Sequence, residues 1–331
     1  MTNADIYQEL TKRLGMEQSP LIPKIWQTLC TEKEARIVNS TPAQAEELAE
    51  KFAMDLDETQ EILGRLFRRG VIFEQYKEGK TIYRMPRHIV QFHDATSLWP
   101  EAPPELLDLW AEYMEKEYPQ IPAFMTKINA DPFLRVIPIQ ESISSESRVL
   151  PYEDAAQIVE GASRLAVTNC PCRTIARKCD KPLEVCLQLN RGADYTIKRG
   201  AGREISSLEA KEILRQSAAA GLVHMTETKA GIGNVICNCC NCCCIALPYA
   251  RDAATKGVVQ ASRYQASLAE DRCNNCDLCR ETCPVEAIAP GANGLPLFLG
   301  DRCLGCGLCT SACPTGAISL VQVRGEEFIR A

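Results

Sequence analysis

Eighteen of the nineteen cysteines fall in two stretches, and their spacing decides what chemistry the chain can do. In the later stretch, Cys273, Cys276, Cys279 and Cys283 stand at C-x2-C-x2-C-x3-C before Pro284. Cys303, Cys306, Cys309 and Cys313 repeat that spacing before Pro314, at an offset of 30 residues. The repeat extends to Asp271, Arg272, Leu278, Ala287 and Ile288, which recur as Asp301, Arg302, Leu308, Ala317 and Ile318 and mark a duplicated half-domain. Three thiolates two residues apart on a tight loop can take three corners of a 4Fe-4S cubane, and the fourth must come from elsewhere. Zinc sites and disulfide frameworks lack this doubled pattern with its trailing prolines.

The stretch closely resembles the bacterial-type dicluster ferredoxins. That resemblance implies a compact βαββαβ-like module around two 4Fe-4S clusters. It also implies crossed ligation, because in that pattern the cysteine before the proline serves the other cluster. Cys273, Cys276, Cys279 and Cys313 would then hold one cluster, and Cys303, Cys306, Cys309 and Cys283 the other.

Ten further cysteines occupy the central segment: Cys170, Cys172, Cys179, Cys186, Cys237, Cys239, Cys240, Cys242, Cys243 and Cys244. The first four spread over 17 residues, enough loop to wrap one cluster. The run from 237 to 244 cannot turn six thiolates toward one cubane, because neighbours in an extended chain point oppositely. A split follows, with each site drawing on both loops and one or two cysteines left over. The expectation is one or two additional iron-sulfur clusters; zinc and disulfide or redox-sensor chemistry are the alternatives. Arg173, Arg177 and Lys178 stand beside the first loop, where cations would offset thiolate charge and raise the reduction potential. The double cysteines are similar to those of the noncubane clusters in the heterodisulfide reductase catalytic subunit. That family pairs its double cysteines with a distant C-x-x-C in the same repeat, which the central segment lacks, so its chemistry is not carried over.

These loops need strands to aim them. Leu134 to Ile139, Leu165 to Asn169, Leu222 to Met225 and Asn234 to Ile236 read as strands, with helices over Pro151 to Ser163 and from the Ser206–Glu209 capping box to Ala220. If Leu165–Asn169 and Asn234–Ile236 share a sheet, both cysteine loops can leave the same edge and converge. His224 reads as a structural histidine, and no glycine loop fits a nucleotide fingerprint.

Upstream, Ile22–Arg36, Thr41–Phe52 (capped by Ser40) and Glu58–Arg69 (capped by Asp57) read as three helices, with strands Val71–Gln75 and Thr81–Arg84 forming a hairpin. Three helices and a hairpin predict a winged-helix-like domain, in which Arg65, Arg68 and Arg69 are the candidate phosphate contacts. Over residues 1–90, however, 13 Lys and Arg stand against 14 Asp and Glu, so a structural or protein-docking role is preferred to nucleic-acid binding. Cys30 reads as a small buried apolar residue.

The predicted class is therefore α+β: a winged-helix-like domain over 1–94, a linker with one helix (Glu105–Glu117) over 95–130, a central α/β cysteine-rich iron-sulfur domain over 131–262, and the dicluster module over 263–331. The formal charge of -6 suits docking to a basic surface on redox partner proteins. No apolar run reaches the roughly 20 residues of a membrane span. With no apolar secretory segment over Met1–Leu14, a reducing cytoplasm is the expected compartment. As a whole, the chain resembles multi-cluster ferredoxin-like proteins of anaerobes that join an N-C-P-C-R loop, an I-C-N-C-C run and a C-terminal dicluster domain. The function expected from these features is single-electron transfer by an oxygen-sensitive carrier. A reductase subunit and a redox-sensing regulator are the alternatives.

Overall fold

The structure, a computed structural model, describes residues 5–143, 149–229, 231–291 and 294–326. The chain divides into two compact units. The first comprises Met1–Pro119 with Thr174–Ala176 and Arg199–Ala201, and the second takes the rest.

In the first unit, α1 (Ile6–Arg13), α2 (Ile22–Leu29), α3 (Glu32–Asn39), α4 (Ala45–Phe52) and α5 (Leu56–Arg68) precede a hairpin of β1 (Phe73–Lys77) and β2 (Lys80–Arg84). Then follow α6 (Ile89–Ser97) and α7 (Pro104–Lys116). The helix expected over Ile22–Arg36 is two. Cys30 is extended, and Thr31 opens α3 through a capping box in which Glu34 Oε2 accepts from Thr31 N at 2.9 Å. An apolar period running through both helices hides that break. Ser40 closes α3 instead of opening the next helix, and Ala43 bridges Tyr83, which delays α4 to Ala45. Asp55, not Asp57, caps α5, accepting from Asp57 N at 2.8 Å. Val71 and Ile72 go into the core, so the first strand starts at Phe73. Trp26 stacks on Phe92 at 4.2 Å, and Trp110 meets Phe92 edge-on at 5.4 Å. Leu106, Trp110 and Tyr113 form the buried face of α7, on the spacing the sequence gives them. Cys30 is buried as expected.

The second unit begins with α8 (Gln120–Lys127), β3 (Leu134–Val136), α9 (Ala155–Glu160), β4 (Leu165–Asn169), α10 (Pro171–Ala176) and β5 (Glu184–Leu189). It continues through α11 (Arg191–Arg199), β6 (Arg203–Glu204), α12 (Ser207–Ala219), β7 (Val223–Glu227), β8 (Val235–Cys239) and β9 (Val259–Gln260). The helix expected over Pro151–Ser163 is instead a 3-10 turn at Pro151–Glu153 followed by α9, which Asp154 caps. The seven strands form one sheet in the order β6-β4-β5-β8-β7-β3-β9, antiparallel except for β3 with β9. Because β5 is antiparallel to both β4 and β8, those two strands run the same way. Their C-terminal ends therefore deliver Cys170 and Cys240 to one edge of the sheet.

Last come β10 (Tyr264–Leu268), α13 (Leu278–Thr282), β11 (Ile288–Pro290), β12 (Pro296–Phe298), α14 (Leu308–Ser311) and β13 (Ile318–Gln322), in the order βαββαβ. β10 pairs with β13, and β11 with β12. A buried ion pair joins this module to the sheet region: Arg263 holds Glu153 through bonds of 2.6 and 2.8 Å. Among the described residues no helix is long and apolar enough to cross a membrane.

Candidate metal centres

The duplication seen in the sequence recurs in the backbone. Asn275, Asp277 and Glu286 have φ of 56°, 60° and 50°, and 30 positions later Gly305, Gly307 and Gly316 have 63°, 89° and 60°. These left-handed residues wrap each C-x2-C-x2-C loop so that successive thiols turn inward. Asn and Asp tolerate the geometry in the first loop. The second needs glycine at 307, because a Cβ there would meet Ser142 Oγ at 2.7 Å and Ile139 Cβ at 3.1 Å.

Two cavities result. One is lined by Cys273, Cys276, Cys279 and Cys313, with Leu268, Pro296 and Ile318 among its apolar walls. The other is lined by Cys283, Cys303, Cys306 and Cys309, with Ile288, Phe298 and Leu320. Each cavity takes three cysteines from one repeat and the pre-proline cysteine of the other. The pre-proline sulfurs are already tethered: Ala287 N donates to Cys283 Sγ at 3.2 Å, and Ala317 N to Cys313 Sγ at 3.3 Å. Burial pushes the Cys306 thiol up to about 12 and Cys309 higher still. Such thiols become thiolates only when a metal displaces their protons. Four thiols and N–H donors to sulfur suit a cubane, and each cavity has them.

The central cysteines sort into two groups. Strand β8 ends at Cys239, so Cys237 and Cys239 share one face while Asn238 faces the other way. Asn238 Nδ2 donates to Val185 O at 2.6 Å, and its Oδ1 meets His224 Nδ1 at 2.5 Å. His224 is thus a buried structural residue, its pKa lowered by burial. The thiols of Cys172 and Cys239 both hydrogen-bond to Cys244, Cys172 also to Cys170, and Cys239 also to Cys237. Cys244 accepts in addition from Ala246 N at 3.3 Å and Leu247 N at 3.4 Å. After the strand a turn over 241–243 reverses direction, and Cys240, Cys242 and Cys243 meet Cys179 from the first loop. Cys186 lies on β5, where Gln188 Nε2 donates to its sulfur at 3.2 Å.

Arg173 serves both groups. It is 1 % exposed, donates to Asn238 O at 2.7 Å, and lies beside Cys170, Cys239 and Cys240. Burial pushes the Cys240 thiol up, but the Arg173 guanidinium and the Cys242 thiol more than reverse this and hold it below its ordinary value. The sequence flags Arg173 by proximity alone; its complete burial depends on the sheet edge. Asn241 Nδ2 reaches Pro284 O at 3.4 Å, and Cys239 and Cys244 share an apolar core with Cys283, Cys303 and Cys306. The turn over 241–243 therefore touches Pro284, which lines the second cavity.

Residues 272–318 match the family of the 4Fe-4S dicluster domain. No curated protein and no solved structure matches the chain. The dicluster domain and the abundance of cysteines support a general iron-sulfur electron-transfer role.

Proposed function

We propose that the protein passes single electrons between redox partner proteins in anaerobic, cytoplasmic metabolism. Two 4Fe-4S clusters would be held by Cys273, Cys276, Cys279 and Cys313 and by Cys283, Cys303, Cys306 and Cys309. A third iron-sulfur cluster would lie among Cys170, Cys172, Cys237, Cys239 and Cys244. Bound clusters supply reversible one-electron exchange. The chain's own residues supply ligands, insulation and docking. The observation that carries the reading is the crossing of the repeats, which gives each cavity four thiols, the number a cubane takes. The apolar core shared by Cys239, Cys244, Cys283, Cys303 and Cys306 supports a series of centres leading from the central group outward.

The N-terminal unit is read as a winged-helix-like docking domain, supported by α3, α4 and α5 running into the β1–β2 hairpin. Arg65 and Arg69 approach Glu34 at 3.9 and 3.0 Å, and Arg68 pairs with Glu101, so the basic end of α5 is internally neutralised. This favours protein docking over phosphate contact and weighs against a DNA-binding regulator. A reductase is the second reading, because the central group has five thiols where a cubane takes four, leaving one to exchange with a substrate thiol or thioester.

Anaerobic iron and sulfide analysis with EPR tests both readings. About 12 iron per chain is expected, about eight removes the central cluster, and near four refutes the dicluster assignment. A central EPR signal that shifts on adding thiols or thioesters favours the reductase.

A further inference from the structure

The tetrad at the tip of the central loops is built differently from the other cysteine groups. Cys179 Sγ lies 3.9 Å from Cys240 Sγ and 3.8 Å from Cys243 Sγ, and Cys242 and Cys243 are 3.8 Å apart. All four sulfurs lie within 4.8 Å of one another. Four thiolates bound at about 2.3 Å to one tetrahedral zinc stand about 3.8 Å apart. A cubane interposes an iron at each corner and holds its thiolates much farther apart. Among the described residues no other set of three or more Cys, His, Asp or Glu converges within that 4.8 Å, the eight C-terminal cysteines included.

We propose that Cys179, Cys240, Cys242 and Cys243 bind a single four-coordinate zinc ion, in place of an iron-sulfur cluster. The surroundings suit a doubly negative zinc–tetrathiolate. Arg173 is buried, its Nε has no hydrogen-bond partner, and among the described residues it pairs with no carboxylate, so thiolates are its counter-charge. The Lys178 backbone N–H donates to Cys243. As zinc enters, each thiol gives its proton to solvent and no electron moves. The site is closed by four protein ligands, which is the structural form of zinc coordination. Its effect is to staple the first cysteine loop, through Cys179, to the turn after β8.

The test uses the full chain, purified anaerobically from cells supplied with both iron and zinc. Mass-spectrometric metal analysis should give one zinc per chain beside the cluster iron, and zinc-edge X-ray absorption should give four sulfurs at about 2.3 Å. Cys179→Ser with Cys242→Ser should remove the zinc and leave iron content unchanged. Absence of zinc from the unmodified protein overturns the proposal, whether or not the variant folds. So does loss of about four iron on that double substitution. Zinc that departs with Cys276→Ser but survives the double substitution also overturns it, since that metal would occupy a ferredoxin site. The iron count and EPR of the unmodified protein test the electron-transfer reading separately, so either can fail without the other.

Discussion

Replacing Gly307 by Ala tests whether the second cysteine loop is pressed against the chain that precedes the module. Two costs add. Gly307 has φ of 89°, and a side chain in the left-handed region costs about 1–2 kcal/mol. The new methyl would also sit 2.7 Å from Ser142 Oγ and 3.1 Å from Ile139 Cβ, and overpacking of this kind costs about 1–3 kcal/mol. Neither neighbour yields easily, because Ser142 Oγ donates to Gly307 O at 3.1 Å and Ile139 N to Cys306 O at 3.0 Å. The sum, about 2–5 kcal/mol, is a large part of the roughly 5–15 kcal/mol of an ordinary domain. The matched control is Asp277→Ala at the equivalent position. There φ is already 60° on a residue with a Cβ, and only a half-exposed pair with Arg280 is lost, which contributes at most about 1 kcal/mol. Cluster loss makes unfolding irreversible, so the assay is the rate at which cluster absorbance bleaches in anaerobic urea. At 2 kcal/mol, Gly307→Ala should bleach about 30-fold faster than the parent, while Asp277→Ala stays within a few-fold. Equal rates for the two variants would refute the docking of this loop.

Cys283→Ala should damage the cluster of Cys303, Cys306 and Cys309, giving a three-iron EPR signal or loss of that centre; Cys313→Ala should strike the cluster nearer Cys273. Selective labelling of the freed thiols decides the point, and freed thiols at Cys273, Cys276 or Cys279 after Cys283→Ala would sink the crossed arrangement. Glu153→Leu removes the buried carboxylate partner of Arg263 and should cost about 3–5 kcal/mol, largely recovered by adding Arg263→Met; a loss under about 1 kcal/mol would place the pair with ordinary surface bridges. Glu34 answers to pH. Burial alone would raise its pKa, but the Thr31 N–H and Arg69 reverse this and hold it below the usual range. Its stabilisation is therefore present above the unfolded value of about 4.3 and is lost as pH falls through the folded one. Trp26 fluorescence should show a shallower acid transition in Glu34→Gln than in the parent, and identical acid limbs would contradict the assignment.

The C-terminal module is legible because its information is local. Spacing, prolines and the 30-residue offset determine where the backbone must turn left-handed, and the structure puts positive φ at the corresponding residues of both halves. The central site is less legible because its partition depends on partners far apart in sequence. Cys179 meets Cys240 across 61 residues, an encounter set by the parallel run of β4 and β8 and by the turn at 241–243. The Cys-Asn-Cys alternation at 237–239 does carry a signal, since it puts Cys237 and Cys239 on one face, but nothing local says that the chain reverses at Cys240. The break at Thr31 is the converse case: the Thr-x-x-Glu box is in plain view, and an uninterrupted apolar period conceals it.

The two halves of the module are copies in sequence but not in environment, and that difference gives the carrier a direction. Leu278 is 41 % exposed while its counterpart Leu308 is 2 % exposed, and exposed Asn274 corresponds to buried Leu304. Cys276 is exposed, in a stretch where exposed Asp271 and Glu281 stand with Arg272 and Arg280. On the ligand sets proposed here, the Cys273 centre is the more open to water. The Cys303 centre sits in apolar surroundings, in one core with Cys239 and Cys244. Reduction adds negative charge, which water and N–H donors stabilise and an apolar shell does not, so the outer centre should hold the electron more readily than the inner one. On that reading electrons would run from the central group through the inner centre to the solvent face. The duplicated sequence supplies two equivalent sites, and the deeper burial of one half makes them inequivalent.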